Sequence, residues 1–113
     1  MKHEEHEIQS TIAKYLDYMK VPFFAVPNGE KRTKIAGTRL KREGVKRGVA
    51  DLFVMLCNQT YGGLFIEVKT KTGTQSKEQK EFEARAIEQG YCYKIARSLD
   101  DVIKIVTDYK KII

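Results

Sequence analysis

The sequence predicts a small α/β domain in which helices pack on a mixed β-sheet. Its 113 residues suffice for one domain. Helical and strand periodicities alternate along the chain in the order α-β-β-β-α-β-α. With 42% hydrophobic residues, the composition is that of a folded chain rather than a disordered one. We therefore treat residues 1–113 as a single domain.

The first element is predicted to be an amphipathic helix over residues 4–19, ended by Pro22. A short apolar strand follows at residues 23–26, and Pro27-Asn28-Gly29 signals a turn. The residues that recur at helical spacing, and should form the buried face of the helix, are Ile8, Ile12, Tyr15, Leu16 and Met19.

Residues 29–48 contain few large apolar side chains and are predicted to form a long, mobile loop. Within residues 30–48, eight basic and two acidic side chains leave a net charge of 8 − 2 = +6, whereas thirteen basic residues balance thirteen acidic ones elsewhere. A solvated charge run is the alternative interpretation. Such a local excess is nevertheless typical of a phosphate-binding arm. The candidate DNA-binding residues are Lys31, Arg32, Lys34, Arg39, Lys41, Arg42, Lys46 and Arg47.

Two apolar strands, residues 51–57 and 64–69, are predicted to form a hairpin across a turn at residues 58–63. Cys57 and Cys92 each lie in an apolar, strand-like run, so we predict buried free thiols.

The C-terminal half alternates helix, strand and helix. Ser76 or Thr74 is a suitable N-cap for a helix over residues 77–89, and a glycine follows the end of that helix. A strand is predicted at residues 91–96. Ser98 caps a last helix, whose first turn contains two aspartates favoured there by the helix dipole.

The sequence lacks the signals of export or membrane insertion. No apolar run approaches the roughly 20 residues that span a bilayer. Residues 1–7 are acidic, and they lack the apolar segment of a signal peptide. We therefore expect a cytoplasmic protein.

The candidate chemistry lies on strand 64–69. Because side chains alternate along a strand, Glu67 and Lys69 share one face with Phe65. Charged groups inside a small sheet are costly unless they are paired or bound to a metal. The opposite face is wholly apolar, and it consists of Leu64, Ile66 and Val68.

The hairpin brings a second carboxylate toward this face. If the turn centres near Thr60, Asp51 lies opposite Lys69 and Phe53 lies opposite Glu67. Directly opposed residues point to the same side of a sheet, so Asp51 would join Glu67 and Lys69. A register slip of one residue would break this convergence.

Two neighbouring carboxylates resist joint ionisation unless a cation lies between them. Oxygen ligands suit Mg²⁺ or Mn²⁺, which polarise a phosphate and lower the pKa of a bound water. A nearby lysine can orient that water or stabilise charge on the phosphorane. Asp51, Glu67 and Lys69 therefore suit phosphodiester hydrolysis. The alternative is a surface ion pair of Glu67 with Lys69 and an unrelated loop carboxylate at Asp51.

Ordered motifs lie along nearly the whole chain. They are Glu5-His6-Glu7-Ile8-Gln9, Pro27-Asn28-Gly29, a basic glycine-containing loop, Gly48-Val49-Ala50-Asp51, Ile66-Glu67-Val68-Lys69, Gly73, Ser76-Lys77-Glu78-Gln79 and Gly90. This ordered set resembles the VRR-NUC family of virus-type replication-repair nucleases, within the PD-(D/E)xK nuclease superfamily. One departure is Ala50, since the family usually has proline before the aspartate.

The resemblance implies a restriction-endonuclease-like core and a Mg²⁺- or Mn²⁺-dependent endodeoxyribonuclease. Its stand-alone members imply a DNA repair nuclease that acts on branched DNA such as four-way (Holliday) junctions, often as a homodimer. A phage or prophage origin, in a bacterial or phage-infected cytosol, fits the small size. The rival interpretations are a non-catalytic DNA-binding module and a sequence-specific restriction-type nuclease.

The resemblance also implies residue roles. Asp51 and Glu67 would be metal ligands and Lys69 the catalytic lysine. Gln79 would support the metal-bound water or a phosphate, unless it is an ordinary exposed helix residue. Asn28 is a fainter supporting candidate.

A glutamate on the first helix usually completes such a site. Glu5 lies three residues before Ile8 and four before Gln9, on or beside the buried face of the helix. Glu7 should be more exposed, whereas Glu4 remains a competitor. We favour Glu5 as catalytic residue and third metal ligand, with Gln9 supporting it. The alternative is that all three glutamates are solvated.

A zinc site is not favoured. His3 and His6 are spaced i, i+3 rather than i, i+4 as in HExxH, and no cysteine pair completes a ligand set.

Overall fold

The computed structural model of the chain describes residues 2–27 and 34–112. Its elements, in chain order, are α1 (Lys2–Tyr18), β1 (Phe23–Ala25), α2 (Lys34–Arg42), β2 (Leu52–Val54), β3 (Leu64–Val68), α3 (Lys77–Glu88), β4 (Cys92–Ala96) and α4 (Leu99–Lys110).

The four strands form one mixed sheet in the order β1-β2-β3-β4. The first three strands pair antiparallel, and β3 pairs parallel with β4. Because a parallel pair needs a crossover connection, α3 links β3 to β4. The predicted α/β class with a mixed sheet and flanking helices is confirmed, with α2 as an additional helix.

Helices cover both faces of the sheet, so β3 is buried on both sides. On one face, Leu64, Ile66 and Val68 pack with residues of α1 and α4, as their strand parity predicts. On the other face, Phe65 and Tyr93 pack with Ala86 of α3. The two charged residues at the end of this strand therefore lie between the sheet and α3.

Helix α1 buries the face that its periodicity predicts, with one exception. Ile12 and Leu16 are fully buried, but Met19 is 44% exposed, which corrects its assignment to the core. The helix ends at Tyr18, and Lys20 has a φ of 58° that turns the chain away. Met19 therefore lies past the last helical turn rather than on the inward face.

The predicted loop at residues 29–48 is wrong in part, because it contains α2 over Lys34–Arg42. Lysine, arginine, alanine and leucine are all good helix formers. This segment has only two large apolar side chains, Ile35 and Leu40, and their spacing of five residues does not match the i, i+3, i+4 pattern by which periodicity identifies a helix.

Strand β2 is shorter than predicted, which changes the position of one cysteine. The Asn58 side chain accepts hydrogen bonds from the backbone N–H groups of Thr60 and Tyr61, so the chain turns soon after Val54. Both cysteines are free, as predicted, but Cys57 is exposed and only Cys92 is buried.

The caps predicted for the two C-terminal helices are confirmed. Ser76 caps α3 through a capping box in which its side chain and that of Gln79 bind each other's backbone N–H groups. Ser98 caps α4 by accepting from the backbone N–H of Asp101. Within the described ranges, no helix has the length and apolar character needed to cross a bilayer.

Gly48 marks where the basic segment meets α3. Its φ is +82°, and a methyl group added to it would lie 2.5 Å from the backbone carbonyl carbon and oxygen of Glu78. Only glycine permits so close a backbone approach. The chain is thereby held against the first turn of α3, three residues before Asp51.

We expect Gly48→Ala to destabilise the protein more than Gly44→Ala does. Both glycines have positive φ, so alanine costs about 1–2 kcal/mol of backbone strain at either position. Gly44 has no atom within 4 Å of an added methyl group, whereas Gly48 faces the Glu78 backbone. Overpacking should add about 1–3 kcal/mol at Gly48. Equal free energies of unfolding for the two variants in urea titrations would contradict this close approach.

Candidate active site

The observed register of β2 and β3 differs from the predicted one, but it still places Asp51 on the predicted face of the sheet. Leu52 lies opposite Ile66, and Phe53 lies opposite Phe65 rather than Glu67. The predicted pairs were therefore displaced by two residues along β3, because the turn around Asn58 centres earlier. Since a two-residue displacement keeps every side chain on its face, Asp51 still lies on the face of the sheet that carries Glu67 and Lys69.

Asp51 is held between both neighbouring strands, directly before β2. Its backbone carbonyl accepts from the N–H of Val26, at 2.8 Å. Its side-chain Oδ2 accepts from the N–H of Val68, at 2.7 Å. Ala50, which stands where the resembled family has proline, is fully buried and packs with Ala86 and Tyr93.

Burial raises the pKa of Asp51 to about 6. The carboxylates of Glu5 and Glu67 contribute to this shift, while the Val68 N–H and the Lys69 ammonium oppose it. Glu5 and Glu67 are thus each close enough to repel the Asp51 carboxylate. A cation between them would relieve that repulsion.

The Glu67 carboxylate is fully buried, and its two oxygens have different surroundings. Oε1 accepts from the Tyr93 hydroxyl at 2.5 Å and from Gln75 Nε2 at 3.0 Å. Among the described residues, Oε2 accepts no hydrogen bond, although it lies 3.4 Å from Lys69 Nζ. One oxygen is therefore held by two donors, whereas the other has the Lys69 ammonium as an ionic neighbour and no hydrogen bond.

Lys69 is 8% exposed, and its ammonium is oriented by Gln79. Nζ donates to Gln79 Oε1 at 2.8 Å, and the same oxygen accepts from the backbone N–H of Ser76, also at 2.8 Å. The capping box of α3 thus fixes the group that holds the lysine. The role of Gln79 toward a bound water or phosphate stays a prediction.

The first-helix residues sort as their helical positions suggest. Glu5 and Gln9 are half-buried, whereas Glu4 and Glu7 are exposed. Glu5 also raises the pKa of Asp51 through its charge, so it is the first-helix carboxylate near the site. His6 is exposed.

The basic residues are placed in part. The side chains of Arg39, Lys41, Arg42, Lys46 and Arg47 are exposed. Lys34 begins α2. The candidates that lie outside the described residues are Asn28, Lys31 and Arg32.

Three residues of the site were not anticipated from the sequence. Tyr93 lies opposite Phe65 in the parallel pair of β3 and β4, so strand parity could have placed it on the face of Glu67. No pattern in the sequence identified Gln75 as a residue of the site. Arg97 was also missed, and its Nη1 donates to the carbonyls of Thr70, Lys71 and Gly73. This arginine holds the loop that joins Lys69 to Gln75.

The donors present fit a hard divalent cation with few protein ligands. Within residues 2–27 and 34–112, no three His, Cys, Asp or Glu side chains are grouped closely enough to form a complete metal cage. Mg²⁺ is usually bound by one or two carboxylates, with waters and substrate phosphates completing its shell. Asp51 and Glu67, whose Oε2 accepts no hydrogen bond among the described residues, supply such a pair.

A mixed sheet with flanking helices carries the clustered acidic and basic groups of this small α/β domain. Two solved structures support its assignment as a nuclease-type domain. A "VRR_NUC domain protein" is 27% identical, with a TM-score of 0.79, over 96% of this chain and 88% of that one. A "VRR_NUC domain" is 19% identical, with a TM-score of 0.66, over 94% and 97%. The chain has the VRR-NUC fold. No family model and no curated protein matches it.

We expect Asp51→Asn to stabilise the protein in EDTA at neutral pH. A carboxyl whose pKa is raised on folding binds its proton more tightly in the native state, so native stability falls as pH rises from 3.8 to about 6. In the variant, the side-chain amide can still accept from the Val68 N–H. Because it does not ionise, the variant does not lose stability as the pH rises. At roughly 1.4 kcal/mol per pKa unit, the variant should gain about 3 kcal/mol above pH 6.

Thermal and urea unfolding between pH 4 and pH 8 would measure the difference. Asp17→Asn is the matched control, since Asp17 is exposed on α1. If Asp51→Asn and the wild type were equally stable at pH 8, the burial of an unfavourable charge at Asp51 would be refuted.

Proposed function

We propose that this chain is a Mg²⁺- or Mn²⁺-dependent DNA endonuclease that hydrolyses phosphodiester bonds in branched DNA, such as four-way junctions. The observation that carries the proposal is the fully buried Glu67 carboxylate. One of its oxygens has no hydrogen-bond partner among the described residues, and it lies beside Lys69 and close to Asp51. A purely structural ion pair would leave that oxygen unsatisfied at a substantial cost.

Asp51 and Glu67 would hold the cation, with Glu5 as an outer carboxylate. When bound, such a cation polarises the scissile phosphate and lowers the pKa of a water. Lys69 would orient the attacking water and stabilise the negative charge that develops on the phosphorane. Gln79 keeps the Lys69 ammonium in place through a 2.8 Å hydrogen bond.

The exposed basic side chains on and after α2 would bind the DNA backbone. Phosphate contacts orient a protein on DNA without reading base sequence. The close approach of Gly48 to Glu78 places the end of the basic segment beside the first turn of α3, and therefore near Gln79 and Lys69. This arrangement favours recognition of DNA shape. A homodimer would supply two active sites for the two strands of a junction.

Two other functions remain candidates for the test. A non-catalytic DNA-binding module would not need the Asp51, Glu67 and Lys69 cluster. A restriction-type enzyme would cut linear duplex into discrete fragments.

Asp51→Ala and Lys69→Met should each lower metal-dependent cleavage of a four-way junction by about 100-fold or more, because each removes a group that acts on the reacting phosphate. Initial rates would be measured with Mg²⁺, with Mn²⁺ and with EDTA on linear, flap and four-way substrates. Glu81→Gln and Lys94→Met are the controls, since both side chains are exposed. Wild type that cuts none of these substrates would favour the binding module, and an active Asp51→Ala would refute the site.

Replacing Arg39, Lys41 and Arg42 together with alanine should weaken junction binding and reduce its salt dependence. Each phosphate contact contributes about 0.9 to the slope of log K against log salt, so the slope should fall by up to about 3. Alanine favours helix, so α2 should persist. Alanine at Lys14, Lys110 and Lys111 is the charge-matched control, since those side chains are also exposed. Equal slopes for the two triple variants would contradict a DNA-binding α2.

A further inference from the structure

Glu67 Oε1 belongs to a hydrogen-bonded chain that extends across α3 and β4. Tyr93 Oη donates to it at 2.5 Å, and Gln75 Nε2 donates to it at 3.0 Å. The same amide nitrogen donates to Glu83 Oε1 at 2.8 Å. Both amide protons of Gln75 therefore have defined acceptors, so the amide cannot flip without losing both bonds.

Each donor is itself fixed by packing. Tyr93 is 6% exposed, and it packs with Ala50 and Ala86. Its ring also lies 6.1 Å from that of Phe82, between centroids. The tyrosine hydroxyl consequently reaches Glu67 from a rigid aromatic cluster rather than from a mobile surface.

Gln75 is fixed from the other side. Its loop is held by Arg97, which donates to the backbone carbonyls of Thr70, Lys71 and Gly73. Its amide is anchored to Glu83 on α3. The two donors therefore approach the Glu67 carboxylate from different elements and bind the same oxygen.

We infer that Tyr93 and Gln75 are positioning residues that hold Glu67 through Oε1 and direct its Oε2 toward the cation. This inference rests on the proposed function, because it assigns the free oxygen to the metal. Both residues would act through Glu67, to which they donate, rather than on substrate or metal directly. A carboxylate with one oxygen held by two donors offers a single, oriented ligand atom, whereas a free one would rotate and lose that preorganisation.

If Tyr93 served only to pack the core, removing its hydroxyl would leave metal binding unchanged. The aromatic ring of Tyr93 fills the space beside Ala50 and Ala86 whether or not it carries a hydroxyl. Tyr93→Phe therefore keeps the packing and removes the hydrogen bond. Tyr91→Phe is the matched control, since Tyr91 is half-buried in the same aromatic cluster and contacts Phe65 and Phe53.

The experiment measures Mn²⁺ binding to the DNA-free protein by isothermal titration calorimetry. We expect Tyr93→Phe and Gln75→Met each to weaken Mn²⁺ binding by about 10-fold or more, in the range known for groups that orient metal ligands. Tyr91→Phe should bind Mn²⁺ as the wild type does. Junction cleavage by Tyr93→Phe should recover as the Mn²⁺ concentration is raised, which a folding defect would not do. Thermal unfolding in EDTA establishes that each variant is folded at the titration temperature.

The outcomes separate this inference from the proposed function. If wild type binds Mn²⁺ and Tyr93→Phe binds it equally well, the positioning role is overturned while the metal site stands. If Tyr91→Phe weakens binding as much as Tyr93→Phe, the effect is one of packing, and the inference is again overturned. If wild type binds no Mn²⁺, the proposed cation dependence fails first, and the inference fails with it.

Discussion

The buried carboxylate of Glu67 is the group around which the charged side of the sheet is organised. An ionised carboxylate removed from water costs several kcal/mol unless its oxygens are paired. The chain supplies two donors to Oε1 and places the Lys69 ammonium 3.4 Å from Oε2. These groups come from β4, from the loop after β3 and from the end of β3. The arrangement is therefore possible only where all three segments meet.

Helix α3 serves the crossover and the site at once. Because β3 and β4 are parallel, the chain must return over one face of the sheet between them. The helix that makes this return begins with a capping box whose Gln79 also binds Lys69. One turn later, Glu83 anchors Gln75. The hydrogen bond that starts the helix and the one that orients Lys69 thus share the Gln79 Oε1 acceptor, so local helix chemistry and site geometry cannot vary independently.

Much of this could be read from the sequence, because it depends on local periodicity. The alternation along β3 separated Glu67 and Lys69 from the apolar face, and the caps at Ser76 and Ser98 marked helix starts. Asp51 reached the correct face despite a displaced register, because a shift of two residues preserves parity. The sequence therefore predicts the face of the sheet on which a side chain lies more reliably than it predicts which residue lies opposite.

What could not be read depends on tertiary contacts. Helix α2 has only two large apolar residues, so the sequence gave no clear periodic signal for it. The Asx turn at Asn58 shortened β2 and exposed Cys57. Gln75 lies in a loop whose course is set by Arg97, more than twenty residues later in the chain. No spacing rule connects these two positions.

The presence of an aspartate at position 51 cannot be explained by the stability of the metal-free protein alone. Its carboxyl is desolvated and lies near two other carboxylates, which together raise its pKa. A sequence selected only for stability would place a neutral group there, since an amide keeps the hydrogen bond to Val68 without the charge. Retaining the aspartate costs the metal-free protein stability at neutral pH. A cation bound by the carboxylates would repay that cost, because a ligand that binds only the native state stabilises it. The unfavourable charge at Asp51 and the unsatisfied oxygen of Glu67 are thus complementary, since a single divalent ion would satisfy both.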